Sequence, residues 1–214
     1  VLALLPPVAV DGPCLAIRCV RKGGYTLDSF CTGDGEASEL RRTLADLVRE
    51  RANVVVCGDS ASGKTALLGA LSSTVPSSER LIVIETEVEL RVQHDHVVRL
   101  VSSRSHGGDA SMPTAVDLLR TTLDMRTDRI VLGEVCRSVA AELFGVLSYS
   151  GASLLSSVRA TDPREALMSL ERMVRWGEAE VSPIDAAKRV GGLIWQRLKD
   201  ADVGTVVFAR SGFI

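Results

Sequence analysis

The chain has 214 residues, 46% hydrophobic and 24% charged, with 25 Lys and Arg against 27 Asp and Glu for a formal net charge of −2. This balance excludes a disordered polyelectrolyte and supplies no basic footprint for nucleic acid or an anionic membrane, while the length allows one well-buried domain and at most a fragment of a second. The five cysteines include no Cys-x-x-Cys pair and fit a reducing compartment, and no apolar run approaches the ~20 residues of a membrane span.

The opening VLALLPPVAV is short, broken by proline and without a basic start, so it is a poor signal peptide. Val1 reads as mid-strand, and the expectation is a trimmed product that lacks its earlier residues. CLAIRCV (14–20) predicts a strand, and the Gly-rich stretch after it a linker. Ala37, Leu40, Leu44, Leu47 and Val48 recur at helical spacing, which predicts an amphipathic helix from about Glu36 to near Arg51, with Arg41, Arg42, Arg49 and Arg51 on its wet face. Strand and helix then alternate. Strands are expected at 53–57, 80–85, 96–100, 129–135 and 153–158. Helices are expected from Gly63 to about Ser73, over 113–125 with Pro113 in the first turn, over 138–150 and from Pro163 to Trp176. A further helix is expected to start at 182–190, and 193–198 and 205–209 to pair as a hairpin.

Gly58-x-x-x-x-Gly63-Lys64-Thr65 matches the spacing of a phosphate-binding loop, with an apolar strand before it and a helical pattern after it. Glycines let backbone N–H groups converge on phosphate oxygens, and the following helix points its N-terminus at the same anion. Lys64 is expected to neutralise the β and γ oxygens of a nucleotide and the Thr65 hydroxyl to ligate Mg²⁺. The whole loop, Gly58, Asp59, Ser60, Ala61, Ser62, Gly63, Lys64 and Thr65, together with Ala66 just inside the helix, is expected to hold the nucleotide. Glu134 ends an apolar strand where α/β sheets collect ligands, and it is the candidate for the Mg²⁺ shell or its waters. Glu85, Glu87 and Glu89 alternate and would share one face if their strand continued, placing a carboxylate to orient an attacking water. His94 and His96 fall on one face of a strand, but no cluster of further ligands supports a metal site there.

These segments in this order resemble the type II/type IV secretion ATPase superfamily, in the branch of the tight-adherence pilus-assembly motors. The resemblance rests on LPPVAVDGPCLAIR, the loop with ALLGALSSTVPSSERLIVIE, HVVRL, LDMRTDRIVLGEV and DPREALMSLERMV. It implies a three-layer α/β RecA-like P-loop ATPase domain at 36–214, preceded at 1–35 by a short remnant of an N-terminal domain. It further implies Mg²⁺-dependent ATP hydrolysis in a hexameric ring, docked to an inner-membrane secretion or pilus platform protein from the cytoplasmic face, while the acidic balance speaks against a nucleic-acid partner. By position, the resemblance makes Glu89 the water-activating carboxylate, Glu134 the Walker B acid and Arg18 the arginine that reaches the γ-phosphate from the N-terminal side. Any of Arg99, Arg104, Arg120 and Arg126 would be a candidate to reach a neighbouring subunit's nucleotide. The chain departs from the family pattern at Thr86 and Cys136, where the family carries Asp and Arg, and at Gly151 and Arg159, where it carries histidines. Two readings follow: a hydrolysing motor, or a degenerate member that binds ATP and assembles without efficient turnover.

Overall fold

Val54, Val55, Val56 and Cys57 are fully buried, so this run needs a sheet covered on both faces. The computed structural model describes residues 2–17, 23–31, 33–103 and 112–175, together with the backbone of residues 192–195. In chain order its elements are β1 Leu2–Leu4, β2 Cys14–Ala16, a 3-10 turn at Leu27–Ser29, α1 Glu36–Arg49, β3 Val54–Gly58, α2 Lys64–Ser72, β4 Leu81–Glu85, β5 Val97–Val101, α3 Ala115–Thr121, β6 Arg129–Leu132, α4 Arg137–Ser150, β7 Ser153–Arg159, α5 Pro163–Arg175 and β8 Gly192–Trp195.

Six of these strands form one parallel sheet in the order β5-β4-β6-β7-β3-β8. The period-2 alternation of each strand divides its side chains between two cores. Val54, Val56, Leu81, Val83, Val131 and Leu155 face Leu44 and Val48 of α1 and Leu67, Leu68 and Leu71 of α2. Val55, Cys57, Ile82, Ile84, Ile130, Leu132, Leu154 and Val158 face Leu118 and Leu119 of α3, Leu143, Phe144 and Leu147 of α4, and Leu170 and Val174 of α5. The result is a three-layer RecA-like fold. Because all six strands run the same way, Gly58, Glu85, Leu132 and Arg159 finish at one edge of the sheet.

Several expected boundaries move, each for a local reason. Pro113 lies outside α3, because the Thr114 side chain accepts from Asp117 N while the Asp117 carboxylate accepts from Thr114 N. That reciprocal capping box sets the helix start one residue after Thr114. The strand expected to run to residue 135 stops at Leu132: Gly133 N donates to Ile84 O at 3.0 Å and Val135 N to Ser157 O at 2.7 Å, so the backbone crosses between its two neighbours. β8 pairs parallel with β3, Val54↔Gly192 to Cys57↔Trp195. Its expected partner at 205–209, the helix expected at 182–190 and residues 18–20 of the expected first strand lie outside the described residues. β1 and β2 pair antiparallel, Leu2↔Ala16 to Leu4↔Cys14, as a separate two-stranded sheet whose residues are all exposed.

At the opposite edge of the main sheet, Arg129 is fully buried at the start of β6. It pairs with Glu79 and donates to Val48 O at the end of α1, which ties that helix to the sheet, while its Nη1 has no partner among the described residues. Removing one partner of such a pair leaves an uncompensated buried charge. Arg129→Ala is expected to cost about 3–5 kcal/mol of stability in urea denaturation, and the double variant Arg129→Met, Glu79→Leu to recover most of that loss.

Candidate functional site

β3 ends on Gly58, and the chain must turn from a buried strand into a helix within five residues. It does so with two left-handed residues, Ala61 at φ 62° and Gly63 at φ 83°. Glycine tolerates that conformation freely, whereas alanine takes it at a cost of about 1–2 kcal/mol. Such a succession of backbone conformations turns N–H groups inward and forms a concave, anion-binding nest. α2 then begins at Lys64 with neither a side-chain cap on its N-terminus nor an acid in its first turn. Its first N–H groups therefore remain available to an anion, where the partial positive charge of the helix is also directed.

Lys64 Nζ donates to Asp59 O at 2.6 Å, folding the side chain back over the loop. Burial holds its ammonium below the ordinary lysine value; Glu134 pushes it back up and Arg159 pushes it down. A charged amine that is partly desolvated is suited to meeting a phosphate.

The loop forms one wall of a cavity of ≈ 650 Å³ at the C-terminal edge of the sheet. Ser60, Ala61, Lys64 and Thr65 line that wall; Glu87 and Glu89 line a second, and Glu134 and Arg159 border the space between. Six of the sequence-predicted site residues thus meet in one cavity: Ser60, Ala61, Lys64, Thr65, Glu89 and Glu134. Gly58, Asp59, Ser62, Gly63 and Ala66 shape the loop without lining the cavity; Ser62 is buried, and its Oγ has no partner among the described residues. Arg18 lies outside the described residues.

The strand on which the three alternating acids would share a face does not continue past the first of them, yet Glu85, Glu87 and Glu89 all line the cavity. The strand ends at Glu85, which is buried, and its Oε1 accepts from Glu89 N at 3.1 Å and Leu90 N at 2.8 Å. Glu85 is thus the clamp that turns the chain and presents Glu89 to the cavity. Arg159 was not anticipated as a site residue; it caps β7 in register with Gly58, and its Nη2 donates to Ser60 Oγ at 3.2 Å. Its position at a C-terminal strand end was the available signal. Cys136 also lines the cavity, exposed, with Sγ 3.1 Å from Ser138 Oγ. Cys57, beneath the loop, is pushed up to about 12 by burial and is inert at neutral pH.

Other candidates are engaged elsewhere. Arg120 forms a bidentate pair with Glu142 at 3.0 and 2.9 Å, and Arg99 Nη2 donates to Val92 O at 2.7 Å. His94 bridges Pro76 O at 3.1 Å and His96 N at 3.0 Å through its two ring nitrogens. Gly151, at φ 64°, ends α4 as a left-handed C-cap, a position where a β-carbon would be strained.

A strand, a nest-forming loop with a lysine, an uncapped helix and facing carboxylates on a RecA-like sheet define the class of phosphate-loop proteins. A family profile described as "Type II/IV secretion system protein" matches residues 2–202, and the chain belongs to that family. A Mycobacterium tuberculosis protein assigned by name to conjugal transfer is 33% identical over 171 residues, covering 80% of this chain and 49% of its own length. Protein VirB11 of Agrobacterium tumefaciens is 37% identical over 150 residues, covering 70% of this chain and 42% of its own. The crystal structure of the VirB11 ATPase from the Brucella suis type IV secretion system superposes with a TM-score of 0.66 at 25% identity, covering 82% of this chain and 52% of that one. The chain spans about half the length of the curated relatives it matches.

Burial pushes the Glu85 carboxyl above the ordinary value of 4.5, against the two N–H groups that pull it down. Its contribution to stability is therefore complete below 4.5 and is lost as pH rises through the higher folded value. Glu85→Gln, which keeps an acceptor but cannot ionise, is expected to gain stability relative to wild type as pH rises from 4.5. Glu85→Ala, which orphans both N–H groups, is expected to lose about 2 kcal/mol in urea denaturation near neutral pH.

Proposed function

We propose that the chain is the ATPase domain of a secretion or pilus-assembly motor, binding ATP with Mg²⁺ at the loop from Gly58 to Thr65 and hydrolysing it. The observation that carries the proposal is the single cavity in which Lys64 and Thr65 face Glu89 and Glu134. The residues present suit the nucleotide: a nest of backbone N–H groups and an ammonium for the phosphates, with a hydroxyl and a carboxylate for the ion. Mg²⁺, held by Thr65 and through water by Glu134, would neutralise charge on the phosphate oxygens. Lys64 leaves the Asp59 carbonyl for the β and γ oxygens, and Glu89 orients a water in line with the terminal phosphorus and takes its proton. The Brucella suis VirB11 ATPase was crystallised in complex with sulphate, an anion of the kind this loop is proposed to take.

The same reading divides the chain into an N-terminal remnant at 1–35 and the ATPase domain at 36–214, consistent with the separate exposed β1–β2 sheet. It also assigns the chain to the tight-adherence branch, within a hexameric ring that docks peripherally on a membrane platform protein from the cytoplasm. Among the described residues no helix is long and apolar enough to cross a membrane. The rival reading, a member that binds ATP and assembles without efficient turnover, draws on Thr86, Cys136, Gly151 and Arg159. Of these, Thr86, Cys136 and Arg159 line the cavity itself.

Lys64→Ala is expected to abolish most ATP affinity, because the loop loses its own cation; equal affinity in calorimetry refutes nucleotide binding at this loop. Glu89→Gln is expected to keep ATP binding while single-turnover hydrolysis in the assembled full-length protein falls ~10²-fold, about 3 kcal/mol of barrier. Wild-type and Glu89→Gln rates that coincide would favour the binding module over the motor.

A further inference from the structure

We infer that Arg159 is a second phosphate-binding cation of the site, one that contacts the terminal phosphate and makes the site prefer a nucleoside triphosphate to a diphosphate. The inference rests on the nucleotide reading above and adds to it a residue that selects the ligand.

Three observations point the same way. The parallel register of β3 and β7 sets Arg159 opposite Gly58, so its side chain leaves the sheet edge beside the first residue of the loop. Its Nη2 donates to Ser60 Oγ at 3.2 Å, which holds the guanidinium against the loop's outer side, within the same cavity as Lys64. It has no carboxylate partner among the described residues, whereas Arg41, Arg49, Arg120, Arg129 and Arg175 each have one. An anion taken up between Lys64 and Arg159, which border the same cavity, gains from both charges at once.

The place of Arg159 in the sheet selects the terminal phosphate. β7 lies between β3, which carries the loop, and β6, which leads to Glu134. The inner phosphates belong to the loop amides, the α2 N-terminus and Lys64. The reacting end of the chain extends toward Glu89 and Glu134, and Arg159 borders that path. A guanidinium is suited to the task because its planar fork grips two phosphate oxygens at once and stays charged at any working pH.

The test is calorimetry on the 214-residue chain with Mg²⁺ and either a non-hydrolysable ATP analogue or ADP, for wild type, Arg159→Gln, Arg159→Lys and Lys64→Ala. Arg159 is exposed, and matching thermal melts check that each variant is folded. Losing one charge-assisted contact predicts a roughly 10- to 100-fold weaker triphosphate analogue in Arg159→Gln, with ADP changed by less than about 3-fold. Arg159→Lys should lie between, since it keeps the charge and loses the fork. Equal weakening of both ligands overturns the inference, because the residue would then act only on the loop through Ser60, and so does an unchanged pair. If Arg159→Gln behaves as wild type while Lys64→Ala binds neither ligand, this inference fails and the nucleotide reading stands. If wild type binds neither, both fall.

Discussion

The parallel pairing of β3 with β7, five residues from Val54↔Leu155 to Gly58↔Arg159, is the constraint on which the site depends. It places a strand between the loop-bearing β3 and the β6 that ends before Glu134, so cation and carboxylate stand apart across one strand width instead of forming a salt bridge. A strand spacing of about 4.8 Å on each side of β7 leaves room at the sheet edge for a phosphate between them. It also delivers Arg159 to the rim of that gap. Were β3 and β6 adjacent, Lys64 and Glu134 would neutralise each other, and the cavity would have neither charge to offer.

The loop itself is kept in a poised state. Ala61 accepts a left-handed conformation that glycine would adopt at no steric cost, and the first turn of α2 carries no acid that would occupy its N–H groups. Lys64 is held by a backbone carbonyl and is partly desolvated. Each feature lowers the stability of the empty chain and is relieved by an anion. The cost falls on a small loop while the two cores on either side of the sheet are built mainly of apolar side chains, so strain is localised where a ligand can relieve it. Glu85 performs the complementary task on the opposite wall: a buried carboxylate spends its hydrogen bonds on the backbone of the turn that carries Glu89 to the cavity.

Much of this was legible in the sequence because the signals were local and periodic. Val54–Cys57 announces a doubly covered strand, the glycine spacing announces the loop, and the apolar stripe of α1 announces its buried face. The resemblance of the ordered segments pointed to the right family. The less legible parts depend on contacts between distant residues. Alternating Glu85, Glu87 and Glu89 look like one strand face until Glu85 Oε1 is seen accepting from the backbone of the following turn. Arg159 reads as a lost histidine until β7 is placed beside β3, a pairing across a hundred residues that no local pattern encodes. Ala61 carries no marker of its left-handed conformation, since its geometry is imposed by the glycines and strand around it. Pro113 suggested a first helical turn, and the Thr114–Asp117 box overrode it.

The central claim is that the loop at 58–65 and the chain after β6 act as two walls of one nucleotide site. Hydrogen–deuterium exchange with and without Mg²⁺ and a non-hydrolysable ATP analogue tests this directly. The account predicts slower exchange together at the amides of residues 60–66 and in the segment carrying Glu134, at one ligand concentration, with the β1–β2 sheet unchanged. Protection confined to segments away from the loop, while the loop amides exchange as in the free chain, would contradict it.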